Sequence, residues 1–350
     1  MEKQISIIIP TYNMEKYLGK CLDSLLIPEI DAVDIIVVND GSKDRSSEIA
    51  HSYADRFPHS IRVIDKPNGN YGSCINAALP TVRGRYVKVL DADDTYDTPV
   101  FSEFVKRLKD TNVDVVVTKS MKIDKAGHET GLVFCTDFGI HENEPFDINY
   151  AKAYLTKFYI AMHCIAYKKD VFSRLSYKQT EGISYTDTQW ATIPLIYCRT
   201  FIRYDLTVYR YLLGREGQTA NPAQLKKSAS QVRILSNYFL DYYESHADSL
   251  FYPDILKGQI AICVSGFYKQ LIYCISSEAV LTIKEIDKRL TESFPWLYDR
   301  TDKIVFSEYT KYHMVRELRR KNYPKNFRIP RYVCILHSFR IRAKKYLGLK

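Results

Sequence analysis

Tyr86-Val87-Lys88-Val89-Leu90-Asp91-Ala92-Asp93-Asp94-Thr95-Tyr96-Asp97 passes from an apolar run straight into four carboxylates within seven residues. A strand that leaves a core and ends in clustered aspartates gathers like charges, which is costly unless a cation or solvent offsets them. Oxygen ligands without His or Cys beside them suit a hard ion, Mg²⁺ or Mn²⁺, and Mg²⁺ usually brings substrate phosphates with it. The competing reading is a polar loop that caps a helix starting near Thr98-Pro99. The cluster by itself does not choose between the two.

Working outward, the first 120 residues alternate strand and helix patterns. Ile5-Ser6-Ile7-Ile8-Ile9 is a β-branched run without alternation, as expected of a strand buried on both faces. Asn13 is positioned to cap a helix through about Leu26, with Tyr17, Leu18, Cys21, Leu22 and Leu25 at helical spacing. Asp34 to Val38 and Arg62 to Asp65 read as further strands, separated by a helix from Asp44 to Phe57. A glycine-containing turn at 68–72 leads into a helix through Leu79, and Asp114 to Thr118 reads as a later strand. This order predicts an α/β fold with a mainly parallel sheet and flanking helices, and ligands outside the strand C-termini. From about Pro222 the pattern turns helical, with Leu225, Val232, Leu235, Tyr238, Phe239 and Tyr242 as one face. The expected organisation is a domain at 1–220 followed by a helical region at 221–350.

Composition sets the class. The 350 residues are 46% hydrophobic and 26% charged, ordinary for a soluble protein. No window approaches the roughly 18 apolar residues of a membrane span. The eight cysteines form no CxxC pair, and several sit in apolar stretches. With no signal-peptide pattern at Met1-Glu2-Lys3-Gln4, they read as reduced thiols of a cytoplasmic protein. The net charge of +9 is local: residues 311–350 hold 13 Lys or Arg against Glu317 alone, while the rest of the chain sums to −3. That tail interleaves its charges with Phe327, Ile329, Tyr332, Val333, Ile335 and Leu336, a mixture suited to an anionic membrane surface. No nucleic-acid module accompanies it, so nucleic acid is not an expected partner.

The early strands end in Pro10-Thr11-Tyr12-Asn13, Asn39-Asp40 and Asp91-Ala92-Asp93, all on the ligand-binding edge. The turn after the first strand has no glycine, which excludes a dinucleotide fingerprint, and no Walker pattern occurs. Zinc-site spacings and the GxSxG elbow are also missing.

Together, Ile7-Ile8-Ile9-Pro10-Thr11-Tyr12-Asn13, Val37-Val38-Asn39-Asp40-Gly41-Ser42 and Gly84-Arg85-Tyr86 through Asp91-Ala92-Asp93-Asp94 resemble glycosyltransferase family 2, with its GT-A fold. Asn68-Gly69-Asn70-Tyr71-Gly72-Ser73 with Ile75-Asn76 is similar to a branch of bacterial enzymes that build capsular and exported polysaccharides. The resemblance implies a UDP-linked sugar donor, a glycan or lipid-linked acceptor, and Mn²⁺ or Mg²⁺ as cofactor. It implies that Pro10, Thr11, Tyr12, Asp40, Lys66, Asn76 and Asp91 bind the nucleotide. Asp93 would hold the metal with Asp91 in support, and Asp94 and Asp97 would be supporting or capping residues.

An inverting transferase also needs a base for the acceptor hydroxyl. By the resemblance this is Asp187, in Tyr185-Thr186-Asp187-Thr188-Gln189-Trp190, where Thr186 replaces the usual Glu. The segment from Val208 to Thr219 resembles the family's closing segment, so Arg210, Arg215 and Gln218 are expected at the diphosphate. His163, between Met162 and Cys164, is expected to be a hydrogen-bonded core histidine rather than a sugar-pocket residue. The expected activity is that of a hexosyl- or N-acetylhexosaminyltransferase of cell-surface polysaccharide synthesis, cytoplasmic or peripheral on the inner membrane face. The alternative is a non-catalytic sugar-nucleotide or glycan-binding subunit, for which Thr186 leaves room.

Overall fold

A computed structural model describes residues 2–132, 142–215, 229–250, 252–306 and 311–336. The chain divides into two compact units, Met1–Glu216 with Leu250–Ile255, and Gly217–Ser249 with Leu256–Lys350.

The first unit is built on β1 (Ile5–Thr11), β2 (Val33–Asn39), β3 (Ile61–Asp65) and β4 (Tyr86–Val89), a parallel block in the order β3-β2-β1-β4. Every residue of β1 and β2 is buried, as an unalternating β-branched run requires when both faces are covered. The crossover helices are α1 (Leu18–Asp23), α2 (Ser46–Arg56) and α3 (Asn70–Ala78), and α4 (Thr98–Leu108) follows β4. Leu18 and Leu22 of α1, Ala50 of α2, and Phe101 and Phe104 of α4 pack with Ile7 and Ile35 in one core.

Asn13 does not cap α1. It takes φ +54°, accepts a hydrogen bond from the Lys43 amide at 2.8 Å and donates its own amide to Ser42 at 3.1 Å. It therefore ties the loop after β1 to the loop after β2. Capping does occur at Asp97, whose side chain accepts from Val100 N at the start of α4.

Beyond β4 come β5 (Thr95–Tyr96), β6 (Val115–Ile123), β7 (Glu129–Leu132), β8 (Phe146–Asp147), α5 (Ile148–Leu155), β9 (Ile165–Lys168), α6 (Asp170–Ser173), α7 (Asp187–Thr192) and β10 (Thr200–Leu212). The sheet continues β4-β9-β6-β10-β5, with β9 antiparallel between β4 and β6. The strand read at Asp114 to Thr118 is thus separated from β4 by a strand some fifty residues further on. β10 runs parallel to β6 with register shifts between Arg203 and Tyr209, and then meets β5 antiparallel, Tyr209 opposite Tyr96.

Register decides the site. Ile8 pairs with Val89, which sets Pro10 level with Asp91, while Thr11 pairs with Asn39 and Asn39 with Asp65. Pro10, Thr11, Asp40, Lys66 and Asp91 therefore leave the sheet on one edge.

The second unit contains α8 (Ala229–His246), α9 (Pro253–Tyr273), α10 (Ser277–Ser293), α11 (Pro295–Asp302) and α12 (Met314–Arg320). Val232, Leu235 and Phe239 of the expected face are buried, whereas Leu225 lies outside the described residues. Asp287, 2% exposed, accepts from Arg319, from Tyr268 at 2.7 Å and from Tyr323 at 2.8 Å. Arg316 pairs with Asp302, and Arg320 with Glu317. Part of the tail's charge is thus neutralised within the unit. Lys321, Lys325, Arg328 and Arg331 are exposed, next to exposed Tyr332, Ile335 and Leu336. Residues 337–350 lie outside the described residues. Among the described residues no helix is long and apolar enough to cross a membrane.

Candidate active site

Thr11 and Asp40 sit side by side at the sheet edge, with the Asp40 amide donating to Thr11 O at 2.8 Å. Pro10 and Thr11 are buried, and Tyr12 is 44% exposed. The Asp40 carboxylate accepts from Lys66 Nζ at 2.6 Å and from the Gly69 and Asn70 amides, each at 2.9 Å. It lies at the positive end of α3, where unpaired amides and the helix dipole favour an anion. Lys66 also donates to Ser73 Oγ at 2.9 Å. Asn76 is fully engaged: Nδ2 donates to Gln179 O and to Glu181, and Oδ1 accepts from Gln179 N. An open cleft of about 670 Å³ borders Lys66, Ser73, Asn76 and Tyr177, and the aspartates do not line it.

The four carboxylates after β4 have separate surroundings. Asp91 accepts from Tyr71 Oη at 2.7 Å and faces His163 Nε2 at 3.7 Å. Burial pushes its carboxyl up, but the His163 and Tyr71 contacts outweigh this and hold it below the usual carboxylate range. Asp93 is paired with Arg215 Nε. Burial, followed by the charge of Asp91, raises its pKa against the opposing guanidinium. Asp94 is 1% exposed and accepts from Tyr209 Oη and from the Leu212 amide, each at 2.7 Å. Burial and the charges of Asp93 and Asp91 drive its carboxyl well above the ordinary value. Asp97 caps α4 and pairs with Arg210 at 3.2 Å.

Asp187 opens α7 as a half-buried residue. Burial raises its carboxyl to about 6. The nearby His163 ring opposes the shift and the charge of Asp91 adds to it. Thr186, in place of the expected acid, is fully buried and bonded to Gln179, so it presents no group to the site.

Among the described residues, the expected diphosphate contact Arg215 reaches Asp93. Arg210 turns instead to Asp97, away from Asp91, Asp93 and Asp94. Side chains alternate along a strand, so Tyr209 and Tyr211 face the site and Arg210 faces Asp97 and Glu129. Gln218 lies outside the described residues.

His163 departs from its expected place in the core. Its ring stacks edge-on to Tyr209 at 4.7 Å and lies 5.1 Å from Tyr211, and its Nδ1 is buried without a partner. Lys88, buried in β4, donates to the carbonyls of His163 at 2.6 Å and Ile165 at 3.3 Å and so fixes the turn that carries the ring. Burial lowers the Lys88 pKa to about 8. No sequence pattern singles out Tyr209 as a partner of Asp94, and Tyr71, the partner of Asp91, is marked only by its place in the glycine-containing turn.

Asp91, Asp94 and His163 offer ligand atoms within 4.8 Å of one another. Two carboxylates and an imidazole with an unpartnered buried nitrogen fit a divalent ion. Asp93, the expected ligand, is outside this group because its carboxylate is turned onto Arg215.

Residues 6–176 match the model of Glycosyl transferase family 2. The uncharacterized glycosyltransferase EpsJ of Bacillus subtilis is 39% identical over 112 residues, 32% of each chain. The match therefore spans about a third of that relative's length. The uncharacterized glycosyltransferase YibD of Escherichia coli is 26% identical over 318 residues, 79% of this chain and 89% of YibD. Among solved structures, S. aureus TarS 1–349 in complex with UDP-GlcNAc superposes with a TM-score of 0.59 at 16% identity, covering 94% of this chain and 95% of that one. The fold is therefore GT-A, followed by a helical C-terminal region.

Proposed function

From the premise that residues 6–176 form a glycosyltransferase family 2 domain, we propose an inverting transfer from a UDP-linked hexose or N-acetylhexosamine to a glycan or lipid-linked glycan in cell-surface polysaccharide synthesis. The observation that carries this reading is Asp187, a carboxyl whose pKa of about 6 suits a base near neutral pH, within the electrostatic reach of Asp91 and His163.

Asp187 accepts the proton of the acceptor hydroxyl. The hydroxyl oxygen bonds to the anomeric carbon from the face opposite UDP, and the bond to the diphosphate oxygen breaks with its electron pair leaving on UDP. The proton then passes from Asp187 to solvent. A divalent ion held by Asp91, Asp94 and His163 would supply Lewis-acid stabilisation of the leaving diphosphate. The imidazole in that set favours Mn²⁺ over Mg²⁺, which prefers oxygen ligands. Pro10, Thr11, Tyr12 and Asp40 border the nucleoside, Asp93 would be a further carboxylate ligand for the ion, and Arg215 would donate to the diphosphate. The exposed basic and apolar face at 321–336 holds the enzyme on the anionic inner face of the membrane, where a lipid-linked acceptor is presented.

Asp187→Asn tests the reading. UDP release from a panel of UDP-sugars with Mn²⁺ should fall about 10²–10⁴-fold, while UDP binding by calorimetry stays near wild type. Near-normal turnover would remove Asp187 as the base. The second reading, a non-catalytic binding subunit, draws on Thr186 standing where an acid is expected. Binding of nucleotide sugars without UDP release from any of them would favour it.

A further inference from the structure

We infer that α3 positions Asp187: Gly72 and Asn76, acting through Gln179 and the segment 177–182, fix where α7 begins. The inference rests on the reading of Asp187 as the base and assigns Asn76 a task other than touching the nucleotide.

The contacts form a continuous path. At Gly72 the α3 backbone lies against the backbone of the segment, so that an added Cβ would stand 2.1 Å from Thr180 O and 3.1 Å from Gln179 Cβ. One turn on, Asn76 binds both backbone groups of Gln179, each at 2.9 Å, as a neighbouring strand would. Gly182 N donates to Gly69 O at 2.8 Å. The segment is thus held against α3 at Gly72 and Asn76 and against the turn before the helix at Gly69.

From there it grips α7. Gln179, 1% exposed, donates to Thr186 O at 3.3 Å. Thr180 N donates to the fully buried Gln189 at 2.9 Å, and Gln189 Nε2 returns a bond to Thr180 Oγ1 at 2.8 Å. Thr186 and Gln189 flank Asp187 on both sides. The same α3 is held at its N-terminus by Asp40 and carries Tyr71, which donates to Asp91. One helix therefore sets the base against the aspartates and the nucleoside corner. Buried amides with both ends satisfied hold such a geometry more tightly than apolar packing does.

The test uses the full chain. Hydrogen–deuterium exchange of metal-free Asn76→Ala should show amides in 185–192 exchanging about tenfold faster or more, with β1 and β2 unchanged. Gln179→Ala, which keeps the backbone contact with Asn76 but removes the side-chain bond to Thr186 O, should give the same pattern. Unchanged exchange at 185–192, or an equal rise throughout, overturns the inference.

UDP release with Mn²⁺ from UDP-GlcNAc, UDP-glucose and UDP-galactose supplies the second readout. Asn76→Ala should lower kcat by up to about 10²-fold with the donor KM unchanged. In an Asp187→Asn background it should cost nothing further. Losses that multiply, or a raised KM with kcat intact, overturn the inference. Near-normal turnover in Asp187→Asn alone would instead refute the base assignment, which separates the two failures. If no donor in the panel is turned over, the exchange result decides.

Discussion

Arg215→Gln isolates the electrostatics of the aspartate cluster. In the structure Arg215 is the cation facing Asp93, and the two side chains are 13% and 9% exposed. Removing one partner of a buried pair costs about 3–5 kcal/mol, because the other charge is left uncompensated. Residual exposure puts this pair at the low end, about 3 kcal/mol, to which the Tyr17 ring 5.9 Å from the guanidinium adds little. For a unit of this size that corresponds to a fall of about 6–12 °C in the thermal midpoint.

Two conditions should reverse the loss. Mn²⁺ at 100 times its dissociation constant contributes about 2.7 kcal/mol, so it should restore most of the midpoint in Arg215→Gln. Wild type should gain less, since on the proposed reading the ion would have to displace the guanidinium from Asp93. Acid is the second condition. Burial and the charge of Asp91 place the folded pKa of Asp93 above its ordinary value. The folded state therefore holds the proton more tightly, and this group's contribution to stability rises as pH falls through the folded pKa. Losing Arg215 raises that pKa further, so the gap between wild type and variant should narrow on acidification. Differential scanning fluorimetry in EDTA and in Mn²⁺, across pH 5 to 8, reads both effects, with Arg215→Lys as the charge-retaining control. An equal Mn²⁺ shift in both proteins, or a gap independent of pH, would refute the argument.

Turnover should rise with pH through about 6 as Asp187 loses its proton, and a UDP-release profile of Asp187→Glu should displace that limb; a flat profile from pH 5 to 8 would speak against the base. Gly84→Ala places a Cβ 2.3 Å from Ile5 C and Ser6 N, backbone atoms of the central strand that have no room to yield, so the cost should reach about 3 kcal/mol or more. Urea melts check this, and an unchanged midpoint would contradict the packing. The full chain should float with phosphatidylglycerol liposomes, while a version ending at Tyr323, which keeps the Tyr323–Asp287 bond, should not; equal behaviour of the two would dismiss the membrane face.

What the sequence made legible was whatever local pattern encodes. Unalternating runs at 5–9 and 34–38 mark doubly covered strands, and the residues that end them fall on one edge because parallel strands share a direction. Arg210 and Arg215 show where legibility stops. Both are basic residues in the same short segment, yet the period of two along β10 sends Arg210 to Asp97, while Arg215, past the end of the strand, meets Asp93. The sequence gives no register for β10, because its pairing with β6 shifts between Arg203 and Tyr209.

His163 was hidden for a related reason. An isolated histidine between Met162 and Cys164 looks like core until β9 is seen to insert beside β4, where Lys88 holds its turn against Asp91. A lysine in the middle of a buried strand was the one local departure from apolar patterning in that run. Such a group is retained against its desolvation only when its donors are satisfied, so its partners had to lie on a strand not yet placed. The Lys88 ammonium, bonded to the carbonyls of His163 and Ile165, is the physical link between the apolar strand and the aspartate–histidine cluster at its end.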